Sequence, residues 1–254
     1  MTMDRLTRTV REQIALGRLL PLGGPDDSVW ITERATVRAL RQAVAPLPGI
    51  HLGDVSVLLA DAPDDTGGGT EFYGVAPVGA LAHLPLRVEA AFEAGTDEPL
   101  PRTADRLREA IWDTARDRLG LAVRAVDLQV TGLIDGDAAG PAVAQAAQDE
   151  PADDEEPGGP PAEGAAAAVR TAAAAVPGVA RLTRGLAGLG PGVRVHDLSA
   201  PEDEPGRRIQ LQIAVAPGHQ ALTVSRAVAA AVIAAAAPDA PGPVTTAVVV
   251  TEAG

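Results

Sequence analysis

Two stretches of the chain place small and apolar residues at helical spacing just ahead of a Pro-Gly pair. Val37, Leu40, Val44 and Leu47 precede Pro48-Gly49, and Ala166, Val169, Ala173 and Val176 precede Pro177-Gly178, with Arg41 falling on Arg170 when the two pairs are superimposed. The second stretch lies in an alanine run, and alanine loses no side-chain entropy on entering a helix. Proline disfavours helix at the residue before it, so the pattern predicts a helix that stops at Val176.

Period-two segments follow each Pro-Gly. In HLGDVSVLLAD, Val55, Val57 and Leu59 share one face; in LPLRVEAAF, Leu86, Val88, Ala90 and Phe92 share one face, with Arg87 and Glu89 on the other. The later half offers VRVHDL and then RRIQLQIAV, where Ile209, Leu211, Ile213 and Val215 alternate with Gln210 and Gln212. Such alternation predicts half-buried strands. A second helix comes next in each half, carried by Leu107, Ile111, Ala115 and Leu119 with Trp112 at the stripe's edge, and by Val224, Val228, Val232 and Ala236. Each leads to a last strand: AVDLQVTGL, with Val126, Leu128 and Val130 inward, and VTTAVVVTE.

The order is helix, strand, strand, helix, strand, twice. The expected fold class is therefore α+β, with two repeated units whose helices pack on one face of a small sheet and leave a polar far face. Residues 31–135 and 165–254 are the expected units. Residues 136–164 carry no arginine and eight acids in a Pro, Gly and Ala background. Such a segment buries too little apolar surface to offset about 1–2 kcal/mol of backbone ordering per residue, so a disordered, self-repelling linker is expected, with a basic partner for its acids as the alternative.

Ahead of the first unit, residues 1–30 read as an amphipathic helix followed by a loop. Met3, Leu6, Val10 and Ile14 line one side, opposite Arg5, Arg8, Arg11 and Glu12, and GRLLPLGG ends the helix. Leu6, Val10, Ile14, Arg8 and Arg11 form the candidate interaction surface, suited to an anionic membrane or to burial against a domain, the second being favoured because Asp4 and Glu12 dilute the charge.

Composition narrows the chemistry. The chain of 254 residues has a net charge of -13 and no cysteine, and every base is arginine. Disulfides, thiolate metal sites, P-loops, kinase lysines and Schiff bases are excluded. Aromatic residues make up 2% and all lie in the first half, so the second half must fill its core with small aliphatics. Ser28, Ser56, Ser199 and Ser225 never stand in G-x-S-x-G. His51, His83, His196 and His219 are isolated, and the EF-hand-like start at Asp135, Asp137 and Gly140 lacks ligands at Ala139 and Ala146. Asp61, Asp64 and Asp65 have no positioned partner in the sequence. No catalytic residue, cofactor or metal is expected. No run approaches the apolar length of a membrane span or a secretory signal, so a cytoplasmic protein is expected.

LPGIHLGDVSV and RLREAIWDTARDRLGLAVRAVDLQVTGL resemble the alkaline-shock-protein family of Gram-positive bacteria. Leu47, Pro48, Gly49 and Ile50 stand at the family's V-P-G-V-like turn; Leu119, Gly120 and Leu121, then Val126, Leu128, Val130 and Gly132, stand at its T-G-L-like turn and V-x-V-x-V-x-G strand. AAVPGVARL repeats the first element, whereas PDAPG replaces the second turn and Glu252 the glycine. The resemblance covers residues 31–134 and 165–252, and the acidic insert and tandem pairing depart from the usual single unit. It implies a noncatalytic protein of the cytoplasm, associated with cell-envelope stress and in some members tethered near the membrane by a partner. The expected function is a scaffold or adaptor with protein partners or self-association, its peripheral membrane contact coming through the N-terminal helix or a membrane-anchored partner. The alternative is a KH-like nucleic-acid module, in which Gly185, Leu186, Ala187 and Gly188 form the G-x-x-G beside Arg181 and Arg184. The acidic chain disfavours phosphate attraction, so nucleic acid is not the expected partner.

Overall fold

The computed structural model describes residues 18–60, 76–77, 79–134, 164–183, 192–198 and 205–254. Over these the element order is β1 (Leu19–Pro21), β2 (Val29–Thr32), α1 (Glu33–Val44), β3 (Ile50–Leu59), β4 (Leu86–Gly95), α2 (Leu100–Asp113) running into a π-helical turn (Thr114–Leu119), β5 (Val123–Ile134), α3 (Ala165–Ala174), β6 (Val179–Leu182), β7 (Val193–Leu198), β8 (Gly206–Val215), α4 (Ala221–Ala236) and β9 (Val244–Ala253). The fold is mixed α+β with two sheets. Residues 1–17, which hold the proposed amphipathic helix, and most of the acidic linker lie outside the described residues.

Local chemistry explains the elements. Thr32 caps α1, its Oγ1 accepting from the Ala35 amide at 3.2 Å. Pro101 near the start of α2 gives up an amide that the first turn does not need. Gly120, in the left-handed region at φ 85°, ends the π-helical turn. Leu107, Ile111, Ala115 and Leu119 are fully buried, as are Val228 and Val232, so both expected stripes face the core.

In the first sheet, β4 runs antiparallel to β3 and parallel to β5. In the second, β8 runs antiparallel to β6 and β7 and parallel to β9. β6 and β7 pair with β8 where β3 alone pairs with β4, whose register against β3 shifts at Gly53 and Asp54. Finer features also recur. Gly49 and Gly178, the glycines of the two Pro-Gly turns, both adopt positive φ. The Gly95 amide donates to the Gly49 carbonyl at 2.8 Å, and the Ala216 amide to the Gly178 carbonyl at 2.8 Å. Thr131 Oγ1 donates to the Phe92 carbonyl at 3.1 Å beside a register shift, and Thr251 Oγ1 to the Ile213 carbonyl at 3.3 Å beside the corresponding shift.

The structure corrects two expectations. Residues 19–30 are not simply a loop: β1 and β2 form an antiparallel hairpin, and β2 lies parallel to β9, with Val29, Trp30 and Ile31 opposite Val248, Val249 and Val250. A short strand buried on both faces shows no alternation, and its partner lies at the other end of the chain. The far face of the second sheet is also not wholly polar, because Leu19, Trp30, Ala247 and Val249 form a buried cluster there with Ala80 against it. The main core runs without interruption from Leu20 and Phe92 to Val232 and Val250, so the two halves share it.

Arg207 ties the end of α4 to the second sheet. Its guanidinium is 5% exposed and donates to both Asp197 carboxylate oxygens (2.6 and 2.8 Å), to the Ala236 carbonyl (2.9 Å) and to the Asp239 carbonyl (3.0 Å). The hydrogen bonds from Arg207 hold the Asp197 carboxyl below its usual range. Arg207→Met keeps the stem but orphans the helix-end carbonyls, and should cost about 2 kcal/mol; Asp197→Asn, at a site 45% exposed, should cost about 1 kcal/mol. Urea unfolding midpoints measure both.

Candidate functional site

Two surfaces stand out: the seam where the halves meet, and an uncovered strand edge in the first sheet. At the seam, the β1–β2 turn presents Asp27 to α4. Arg226 donates to both Asp27 carboxylate oxygens at 2.7 Å, and the Gly24 amide donates to the same carboxylate at 2.8 Å. Asp27 is 14% exposed, and its carboxyl is held below the usual range, chiefly by the hydrogen bonds from Arg226. Gln220 donates to the Asp117 carbonyl at 3.1 Å, Arg118 to the Gly254 carbonyl at 2.9 Å, and the Gly23 amide to the Gly120 carbonyl at 3.2 Å. A shallow open groove of about 410 Å³ beside these contacts is lined by Asp113, Thr114, Asp117, Arg118 and His219.

His83 packs edge-on to Trp30, with ring centroids 5.4 Å apart. Burial lowers its pKa, and the nearby Asp27 charge opposes that shift only in part. A histidine whose folded pKa lies below the unfolded value binds its proton more readily when unfolded. Its contribution to stability is therefore complete above the unfolded pKa of about 6.5 and is lost as pH falls through the folded value. Wild-type protein should lose stability as pH falls below about 6.5, and His83→Gln should show a shallower loss over that range, read from urea midpoints at several pH values. The depressed carboxyls of Asp27 and Asp197 act lower, keeping their contribution until pH falls below the unfolded carboxyl value of about 3.9.

The second surface is the outer edge of β5. β5 is the edge of its sheet among the described residues, whereas β9, which holds the corresponding place in the second sheet, is covered by β2. The difference shows in burial. Val130 is 39% exposed and Leu133 65%, while their counterparts Val250 and Ala253 are 0% and 8% exposed. Val130 does face the helix side of the sheet, as the alternation requires, but among the described residues no element covers it as β2 and α1 cover β9. Alternation names a face and cannot say whether another element reaches it.

Searches against protein-family models, characterised proteins and solved structures return no match.

The candidates read from sequence are dispersed. Leu6, Arg8, Val10, Arg11 and Ile14 lie outside the described residues, as do Asp61, Asp64, Asp65, Asp135, Asp137, Arg184 and Gly185–Gly188. Arg181, the other base of the G-x-x-G reading, pairs with Glu252 at 2.6 Å. His51 lies 4.0 Å from Glu93, and His219 Nδ1 lies 3.3 Å from the Pro217 carbonyl oxygen. Ser225 is fully buried within α4. Among the described residues no group of three or more His, Asp or Glu side chains converges as metal ligands, and no helix is long and apolar enough to cross a membrane. Sequence reasoning missed the β5 edge because strand order is not written in local pattern; the available signal was a long strand without proline.

Proposed function

We propose that the chain is a noncatalytic scaffold or adaptor, built from two copies of one helix–strand–strand–helix–strand unit joined by the acidic linker 136–164, and acting in the cytoplasm in the cell-envelope stress response. The open edge of β5 carries this reading. A strand of 12 residues with Val130 and Leu133 exposed is a ready template for backbone pairing, and edges of this kind are ordinarily blunted by charge, proline or a covering element. The same chain covers the corresponding edge of β9 with its own hairpin. Support for duplication comes from the recurring glycine turns and from the threonine hydrogen bonds beside corresponding register shifts. The stress assignment rests on the resemblance of Leu47–Ile50 and Val126–Gly132 to the alkaline-shock-protein family. The Arg181–Glu252 pair does not favour the nucleic-acid alternative, because that cation already has its anion.

The test is a photocrosslinking amino acid placed at Gln129, on the exposed part of β5, in the native cell. Protein adducts at Gln129 that rise under envelope stress, with none from the same probe at Arg108 on the exposed face of α2, are the expected result. A probe at Gln129 that captures no protein under any condition overturns the docking reading.

A further inference from the structure

We infer that β5 pairs antiparallel with β5 of a second copy of this chain, about a two-fold axis through Leu128, joining the two first sheets into one. This deepens the docking reading and rests on it.

The pairing of β5 with β4 fixes which way each residue faces. Val123, Val126, Leu128, Val130 and Leu133 lie opposite Leu86, Val88, Ala90, Phe92 and Ala94, all buried, so these five share the helix side. The register shifts by one residue between Val123 and Ala125 and again between Val130 and Gly132. Each irregularity falls within a three-residue step of the apolar row, Val123 to Val126 and Val130 to Leu133, and these two steps are equally distant from Leu128. The apolar row is therefore a palindrome: reversing it about Leu128 sets Val123 against Leu133, Val126 against Val130 and Leu128 against itself, while the skipped residues Arg124 and Thr131 fall one place apart, opposite Gly132 and Ala125. In this register each three-residue step of one copy faces the matching step of the other, residue for residue, so the apolar side chains of both copies stay on the helix side past both irregularities.

Charge selects the same register. On the opposite face Asp127 meets Gln129 of the other copy, and Asp127 already has Arg87 at 3.7 Å within its own sheet. Shifting the axis to Asp127 sets two like carboxylates directly opposite each other, which is unfavourable. Shifting it to Gln129 moves Val126 onto Gly132 and Leu133 onto Ala125, and leaves Val123 opposite no residue of β5.

The counterpart of β2 in the second unit is not suited to be the alternative cover. β2, which covers β9, directly precedes α1; superimposing the Pro-Gly turns puts Gly158-Gly159-Pro160-Pro161 at the corresponding place before α3. Proline has no amide to donate to a ladder, and glycine brings no side chain to cover Val130 or Leu133. The sequence at that place is unsuited to a covering strand, and pairing with another copy closes both open edges by one isologous contact.

Sedimentation equilibrium of the full chain over the micromolar range tests this. The expected result is a dimer that Val130→Glu and Leu133→Glu each weaken about a hundredfold, since each sets a carboxylate in an apolar row, while thermal unfolding shows the fold intact. The chain has no cysteine, so Leu128→Cys should form a covalent dimer on oxidation and Arg124→Cys should not. A monomer at every concentration, a dimer indifferent to both glutamates, or a dimer with no link at position 128 would each overturn the inference. A full chain that stays monomeric and dimerises only when residues 1–17 are removed would also overturn it, assigning the edge to that segment. A strictly monomeric chain whose Gln129 probe still captures other proteins would sink self-pairing and leave the docking reading standing.

Discussion

A fragment of residues 165–254 alone is expected to show no cooperative thermal or urea transition, although it contains a complete helix–strand–strand–helix–strand order. What it lacks is the hairpin. Val29, Trp30 and Ile31 are each at most 1% exposed, and their ladder with Val248, Val249 and Val250 supplies the fourth side of the second core. Burial of each large apolar side chain contributes about 1.5–3 kcal/mol, so loss of β2 alone approaches the 5–15 kcal/mol by which a whole domain is stable. The remaining core cannot compensate, since α4 fills it with valine and alanine and no aromatic residue. Removing the hairpin also bares Trp30's partners Ala247 and Val249 on the far face. Circular dichroism during heating of the fragment and the full chain decides the matter: a steep transition of the fragment at the full chain's temperature would mean that the hairpin is ornament.

The parts of this fold that were legible are those in which one element carries its own signal. The i, i+4 stripes from Leu107 to Leu119 and from Val224 to Ala236 needed only helical periodicity, and the buried row Leu86, Val88, Ala90 and Phe92 only the pleat. Both Pro-Gly turns were visible because Gly49 and Gly178 occupy a backbone region that side chains avoid. Features set by distant partners were illegible. Leu19–Pro21 and Val29–Thr32 look like the debris of a helix end until β9 is placed beside them. The site was the least legible part: Val130 was expected to face inward and does, yet nothing in AVDLQVTGL says that its strand is an edge or that its register against β4 shifts twice.

Gly120→Ala should destabilise the full chain by about 4 kcal/mol, far more than the same change at Gly218. Both glycines have positive φ, 85° and 79°, so each substitution carries the left-handed penalty of about 1–2 kcal/mol. Only Gly120 has a neighbour in the way. A Cβ there would meet Leu222 Cβ at 2.5 Å and Cδ2 at 3.0 Å, whereas a Cβ at Gly218 has nothing within 4 Å. Because the obstruction begins at the Leu222 Cβ, a rotamer change cannot relieve it, and the start of α4 must move off the π-helical turn. Overpacking of this kind costs about 1–3 kcal/mol. The movement would also strain the neighbouring contacts from Gly23 to the Gly120 carbonyl and from Gln220 to the Asp117 carbonyl, which join the halves. Leu222→Gly in the Gly120→Ala background should therefore recover part of the loss, although Leu222→Gly alone is destabilising. That sign reversal, measured by a double-mutant cycle in urea, is specific to direct packing between the first half and the second. Additive effects would show that Gly120 is needed for its backbone alone, and that the seam does not pass through Leu222.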